Sequence, residues 1–221
     1  NLRNEIQRML EMARVNVDES FDAFLAGSSK SLDDVDKRED YIDYLNKEIS
    51  RAAAKMMAHE ANVKASKNIG SYLDMTSNIE RIGDHAENFA DYTKTELKHN
   101  TGLTGDAKEE IKKMYEAVSK LLKLSLESFM AQDGVNTQED KLAEIAALEA
   151  SIDKMERRYQ KHHIKRLAKG DCEPRAGLLF SDMLSELERI ADHSVNIAYS
   201  MSDEDEDEML AAENDALATN N

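Results

Sequence analysis

SNIERIGDHAENFA at residues 77–90 returns as SELERIADHSVNIA at residues 185–198, with eight of fourteen positions identical. A repeat at a fixed offset marks a chain built from two copies of one supersecondary unit. Around it, apolar residues recur at three and four, the period of a helix with one buried face. Ile6, Met9, Leu10, Ala13 and Val17 form one stripe; Ile42, Leu45, Ile49, Ala52 and Met56 form another; Tyr115, Val118, Leu122, Ser125, Leu126 and Phe129 form a third. The stripes stop where turn residues gather: Gly27-Ser28-Ser29, Asn100 to Gly105, Asp133-Gly134, and Gly170 to Pro174. Helix-start signals fall beside these breaks, with Asn62 after a turn near Glu60, Thr137 to Asp140, and Pro174 in a first turn. The pattern predicts six helices, at 2–26, 31–59, 62–99, 105–131, 138–168 and 174–201. The expected fold is all-α: two tandem three-helix bundles, 1–102 and 103–201, then a disordered acidic tail, 202–221. Met9, Met56, Met75 and Met183, on the apolar faces, read as core filler.

Composition agrees. The 221 residues include 8 Gly and 1 Pro, too few breakers for a many-turned β fold, and 41% apolar residues, enough for a core. A single Cys, Cys172, excludes an intrachain disulfide framework and a Cys-based zinc or cluster site. No apolar run approaches the roughly 18 residues needed to span a bilayer. The chain opens on Asn1, as a piece of a longer protein would. The formal net charge is −16, and half of it lies in the tail, where eight acids meet no Lys or Arg. Consecutive like charges there repel in any compact form. This balance excludes general nucleic-acid binding, which needs a basic footprint. One segment departs from it: Lys154, Arg157, Arg158, Lys161, Lys165, Arg166 and Lys169 recur at helical spacing. Such a stripe is ordinarily a solvated helix face; the sharper alternative is a contact for anionic lipid head groups or an acidic partner. Leu121, Leu122 and Leu124 offer a surface for a homodimer.

Each copy of the repeat holds an acid, three residues, then Asp: Glu80 with Asp84, and Glu188 with Asp192. Four residues apart on a helix, two carboxylates share a face. Asn88 and Asn196 extend that face by a turn. With 45 acidic residues the spacing also arises by chance, as in Asp18 with Asp22 and Glu87 with Asp91. Hairpin geometry narrows the choice, because helices 2 and 3, and helices 5 and 6, are expected to run antiparallel. Asp36 with Asp84 and Asp40 with Glu80 are both centred on Glu60, the expected turn. Glu149 with Asp192 and Asp153 with Glu188 are both centred on Gly170 and Asp171. Each hairpin then sets four carboxylates at one level. Such a group repels itself unless protons or a cation sit within it. Hard oxygen donors from facing helices are how bundles hold iron, manganese or magnesium. The opposing interpretation leaves these acids solvated or paired with Arg81 and Arg189. His85 and His193 follow each Asp and suit a supporting or packing role, while Glu96 with His99 is a lone Glu-x-x-His of the ferritin-like kind.

The segments ERIGDHAEN (80–88) and ERIADHSVN (188–196) resemble the signature of the PhoU family, and the likeness covers about 1–201. The resemblance implies two three-helix bundles, each with metal-binding Glu/Asp-x-x-x-Asp motifs. On this chain these are Asp36/Asp40 with Glu80/Asp84, and Glu149/Asp153 with Glu188/Asp192, the pairs that the hairpin geometry already picks. The expected cofactors are divalent or trivalent metal ions: iron, manganese, magnesium or zinc. NLRNEIQRM (1–9) and TGDAKEEI (104–111) look more like the PhoU-like domains attached to sodium-dependent phosphate cotransporters. The expected function is that of a regulatory domain on the cytoplasmic side of the inner membrane, joined to the membrane-embedded transporter portion of the same polypeptide, and not an enzyme. Two alternatives stand beside it. One is a free-standing regulator linking a phosphate importer to a sensor kinase; the other is a carboxylate-bridged metalloenzyme. Against the enzyme, the sequence has no Gly-rich phosphate loop, no nucleophile–base arrangement and no paired Glu-x-x-His.

Overall fold

Six helices follow the apolar stripes: α1 (Leu2–Ala26), α2 (Leu32–His59), α3 (Val63–His99), α4 (Gly105–Met130), α5 (Val135–Lys169) and α6 (Pro174–Ala218). The structure is a computed structural model that describes residues 2–59, 62–131 and 135–218, with side chains except at 64, 135–138 and 201–218. No strand occurs among the described residues. The turns expected near Glu60 and at Asp133-Gly134 lie outside them, and the tail expected to be disordered lies outside the described side chains.

The helix ends have local causes. Thr104 caps α4, its Oγ1 accepting from the Ala107 N–H at 3.2 Å. Gly27 (φ 60°) and Gly170 (φ 75°) stop α1 and α5 in the left-handed region, which costs an L side chain energy. After each, the chain bonds back: Ser28 N–H to Ala23 C=O at 3.1 Å, and Asp171 N–H to Arg166 C=O at 2.9 Å.

α3 and α6, which carry the repeated segments, pack against one another at the centre. α1 lies on α2, α3 and α4, and α4 lies on α1, α5 and α6; α2 packs on α1 and α3, and α5 on α4 and α6. One apolar cluster runs through both copies, from Ile6 and Met9 through Ile82 and Phe89 to Met183 and Ile190. Burial of each such side chain favours folding by about 1.5–3 kcal/mol. The copies repeat their polar details as well. Ser20 Oγ donates to Ala86 C=O at 3.1 Å, and Ser125 Oγ donates to Ser194 C=O at 2.8 Å, at the same position of the repeat.

Two expectations are corrected. Met9, Met75 and Met183 are fully buried, but Met56 is 51% exposed and Ala52 is exposed, because the stripe of α2 continues from Ile49 to Ala53. Leu121 and Leu122 are fully buried and present no dimer face. α4 has helices on three sides, so its apolar arc is wide and both adjacent leucines turn inward.

Candidate metal centres

In the second copy the α5/α6 hairpin brings together all four expected carboxylates. Burial, then the charges of Asp192 and Asp153, raises the Glu149 carboxyl above its usual range. Burial, then Asp192, Glu156 and Asp153, pushes Glu188 up to about 7. Asp192 is raised by burial and by Asp153, while a hydrogen bond from Glu188 partly offsets the rise. Glu156, one turn beyond Asp153, joins the group; the spacing of three after an expected ligand is the signal that would have found it.

The first copy is arranged differently. α2 buries Leu32, Val35, Glu39, Ile42, Leu45 and Ile49 as one stripe, so an acid occupies a core position. Glu39 is 5% exposed, and neither carboxyl oxygen has a hydrogen-bond partner among the described residues. It lies against Gly83, where a Cβ would overlap the carboxyl group. The second copy has Ala191 at that repeat position and a buried Ile152 just before Asp153. Burial, then the charges of Asp84, Glu87, Glu80 and Asp43, pushes Glu39 up to about 8. Glu80 is raised by burial and by Asp84, and it feels Asp43 across the hairpin. Glu87 is raised by burial, then by Asp36 and Asp91.

The register therefore departs from the expected one in the first hairpin. Glu80 and Asp84 gather with Glu39, Asp43 and Glu87. Asp36 stands at the edge of this group: its charge helps to raise Glu87, and it also accepts from Lys94 Nζ, through Oδ2 at 2.9 Å and Oδ1 at 3.1 Å. Asp40 is exposed and is not among the groups that shift Glu80. The cause is the α2 stripe: with Val35, Ile42 and Ile49 inward, Glu39 goes with them and Asp40, 100° further round, points out. Sequence reasoning missed Glu39 and Asp43; the one signal for Glu39 is its spacing of three before Ile42, which continues the apolar stripe toward the start of α2.

Both groups are hard-oxygen donor sets with surplus negative charge, the chemistry that suits a hard cation. Among the described residues no three His, Cys, Asp or Glu side chains are arranged to hold a metal ion. The raised carboxyls and the orphaned oxygens of Glu39 are the observations that fit such a guest. Arg81, the expected neutralising partner, reaches Glu80 only at 3.9 Å from a largely exposed side chain. Glu96 is used otherwise: it accepts from the Thr101 N–H and Thr101 Oγ1 and ties down the α3–α4 loop.

The histidines that follow Asp84 and Asp192 meet where α3 packs on α6. His85 Nδ1–H donates to Glu186 Oε2 at 2.6 Å, and His193 Nδ1–H donates to Asn78 Oδ1 at 2.9 Å. Glu186 and Asn78 occupy the same repeat position, so each histidine reaches into the opposite copy. The rings stack with centroids 5.5 Å apart. Burial, then His85, Arg81 and Arg189, lowers His193 to about 4, so its ring stays neutral near pH 7.

The profile of the PhoU domain family matches residues 6–93 and 111–201, and the chain belongs to the PhoU family. It is similar to phosphate-specific transport system accessory protein PhoU homolog 1 of Thermotoga maritima, at 22% identity over 197 residues, 89% of this chain and 82% of the relative. A second relative, the phosphate-specific transport system accessory protein PhoU homolog of Clostridium acetobutylicum, is 24% identical over 201 residues, 90% of this chain and 88% of its own. The crystal structure of PhoU from Pseudomonas aeruginosa superposes with a TM-score of 0.80 at 20% identity, covering 90% of this chain and 93% of that chain; at this identity the likeness is one of fold.

Proposed function

We propose that this chain regulates a phosphate transport system as an accessory protein, and that its acidic hairpins bind hard metal ions which set the arrangement of its helices. The role is regulation rather than catalysis. The first part is carried by the relatives, two accessory proteins matched over 82% and 88% of their length. They support the accessory-protein reading better than attachment to a sodium-dependent cotransporter. A link to a phosphate importer and its sensor kinase is the form of regulation proposed. No helix among the described residues is long and apolar enough to cross a membrane.

Glu149, Asp153, Glu156, Glu188 and Asp192 would hold an ion in the second copy, and Glu39, Asp43, Glu80, Asp84 and Glu87 in the first. A bound cation supplies the positive charge that lets these carboxyls ionise together. It can favour one helix arrangement only through a higher affinity for it. Two experiments test the parts separately. Expression in a bacterium lacking its own PhoU accessory protein is expected to restore phosphate-dependent control of uptake; unchanged, unregulated uptake would refute the regulatory role. Mn²⁺ or Fe²⁺ is expected to raise the Tm of the purified chain, and Glu188→Gln with Asp192→Asn to cut that rise sharply. An equal rise in the variant would remove the second hairpin as a metal centre.

A further inference from the structure

The side of α5 turned away from α4 and α6 carries a single sign of charge. Between residues 154 and 169 its exposed positions are Lys154, Arg157, Arg158, Lys161, Lys165 and Lys169, together with Ile164, Leu167 and Ala168. The one acid in this span, Glu156, is directed to the Glu188 group. Arg166, expected on the stripe, leaves it: its Nη2 donates to Glu110 Oε2 at 2.8 Å and its guanidinium lies over the Phe180 ring. Among the described residues none of the six exposed cations is in an ion pair. The stripe runs for roughly 24 Å.

Its far end adds exposed aliphatics to Lys165, Lys169 and Arg175. Gly177 lies against His163 and Leu167, which sets the start of α6 beside the last turns of α5. Ile164 is 63% and Leu178 66% exposed there. The exposed acids Asp171 and Glu173 sit in the turn past the end of α5 and do not interrupt the stripe. A continuous row of Lys and Arg without ion pairs among the described residues, with Arg158 leaning on the Tyr159 ring and bare aliphatics near its tip, is the composition of surfaces that lie on an anionic bilayer. In a chain of net charge −16 it is no by-product of a generally basic surface.

We propose that this face of α5, with the α5/α6 tip, docks on an anionic lipid surface, its basic side chains on head-group phosphates and Ile164, Leu167 and Leu178 in the acyl boundary. An acidic protein partner would use the same charges but leave the aliphatic tip unexplained.

The test is sedimentation of the full 221-residue chain with vesicles of phosphatidylcholine alone or with added phosphatidylglycerol. Retention is expected on the anionic vesicles only, weakening as salt shortens the Debye length. Each basic residue at such a surface contributes a factor of about five in partitioning. Lys161→Glu, Lys165→Glu and Lys169→Glu together are expected to lower retention about a hundredfold or more, with helix content retained because all three are exposed. Ile164→Ser with Leu178→Ser is expected to lower it while leaving the salt dependence intact. The proposal fails if the parent chain stays in solution with anionic vesicles, or if the charge-reversed variant is retained equally. Binding to polyglutamate but not to vesicles would assign the face to an acidic polypeptide and overturn it.

Discussion

Glu39 is a carboxylic acid in a position that the second copy fills with Ile152. Burial without a hydrogen bond disfavours its charged form and leaves its oxygens unsatisfied, at a cost of about 1–3 kcal/mol for such a group. Gly83 makes the arrangement possible, because only a residue without Cβ leaves room for the carboxyl. Gly83→Ala is therefore expected to destabilise the chain by about 1–3 kcal/mol in urea unfolding, the usual range for overpacking. Glu39→Ala in the same chain should recover most of that loss. In metal-free protein, Glu39→Leu is expected to stabilise by about 1–2 kcal/mol, since it removes an unpaired polar group at nearly constant volume. A Glu39→Leu chain less stable than its parent would mean that the carboxyl has a partner worth more than its burial costs.

At the scale of the element, the α5/α6 hairpin holds protons that an unfolded chain would release. Glu188 has a folded value of about 7 against a reference of 4.5, and Glu149 and Asp192 move the same way. Between the two values the folded state binds more protons than the unfolded state, so stability falls as pH rises. The stabilisation is complete below the unfolded value and is lost as pH climbs through about 7. Thermal scans of metal-free protein are expected to show Tm declining by several degrees between mildly acidic and mildly alkaline pH. Glu188→Gln with Asp192→Asn should make that decline shallower, leaving the share that Glu39, raised to about 8, contributes from the other hairpin. A decline equally steep in the variant and its parent would contradict the crowding described for this hairpin.

At the scale of the whole molecule, the duplication does not produce two independent bodies. The apolar cluster is continuous across the copies, and α3 meets α6 through His85 and His193, while serine-to-carbonyl bonds tie α1 to α3 and α4 to α6. A half chain loses the partner of its central helix, and small units already bury a lower share of their surface. Residues 1–102 alone are expected to show reduced helix content or to self-associate, with recovery on mixing with 103–201. A monomeric 1–102 that unfolds cooperatively by circular dichroism would show that each copy is self-sufficient.

The six helices, the duplication and the Glu149, Asp153, Glu188 and Asp192 group are legible in the sequence because period, turn residues and spacing are properties of neighbouring residues. Gly170 marks its turn for the same reason, since a positive φ is a local demand. The first acidic group is not legible in this way. Asp36 goes to the edge of the group beside Lys94, Asp40 to solvent and Glu39 to the core, because α2 turns about its axis until Val35, Ile42 and Ile49 meet α1 and α3. Arg166 leaves its basic stripe because α4 offers Glu110 and α6 offers Phe180. Rotation of one helix against another is set by the fit of all its neighbours at once, so these placements belong to the tertiary structure alone.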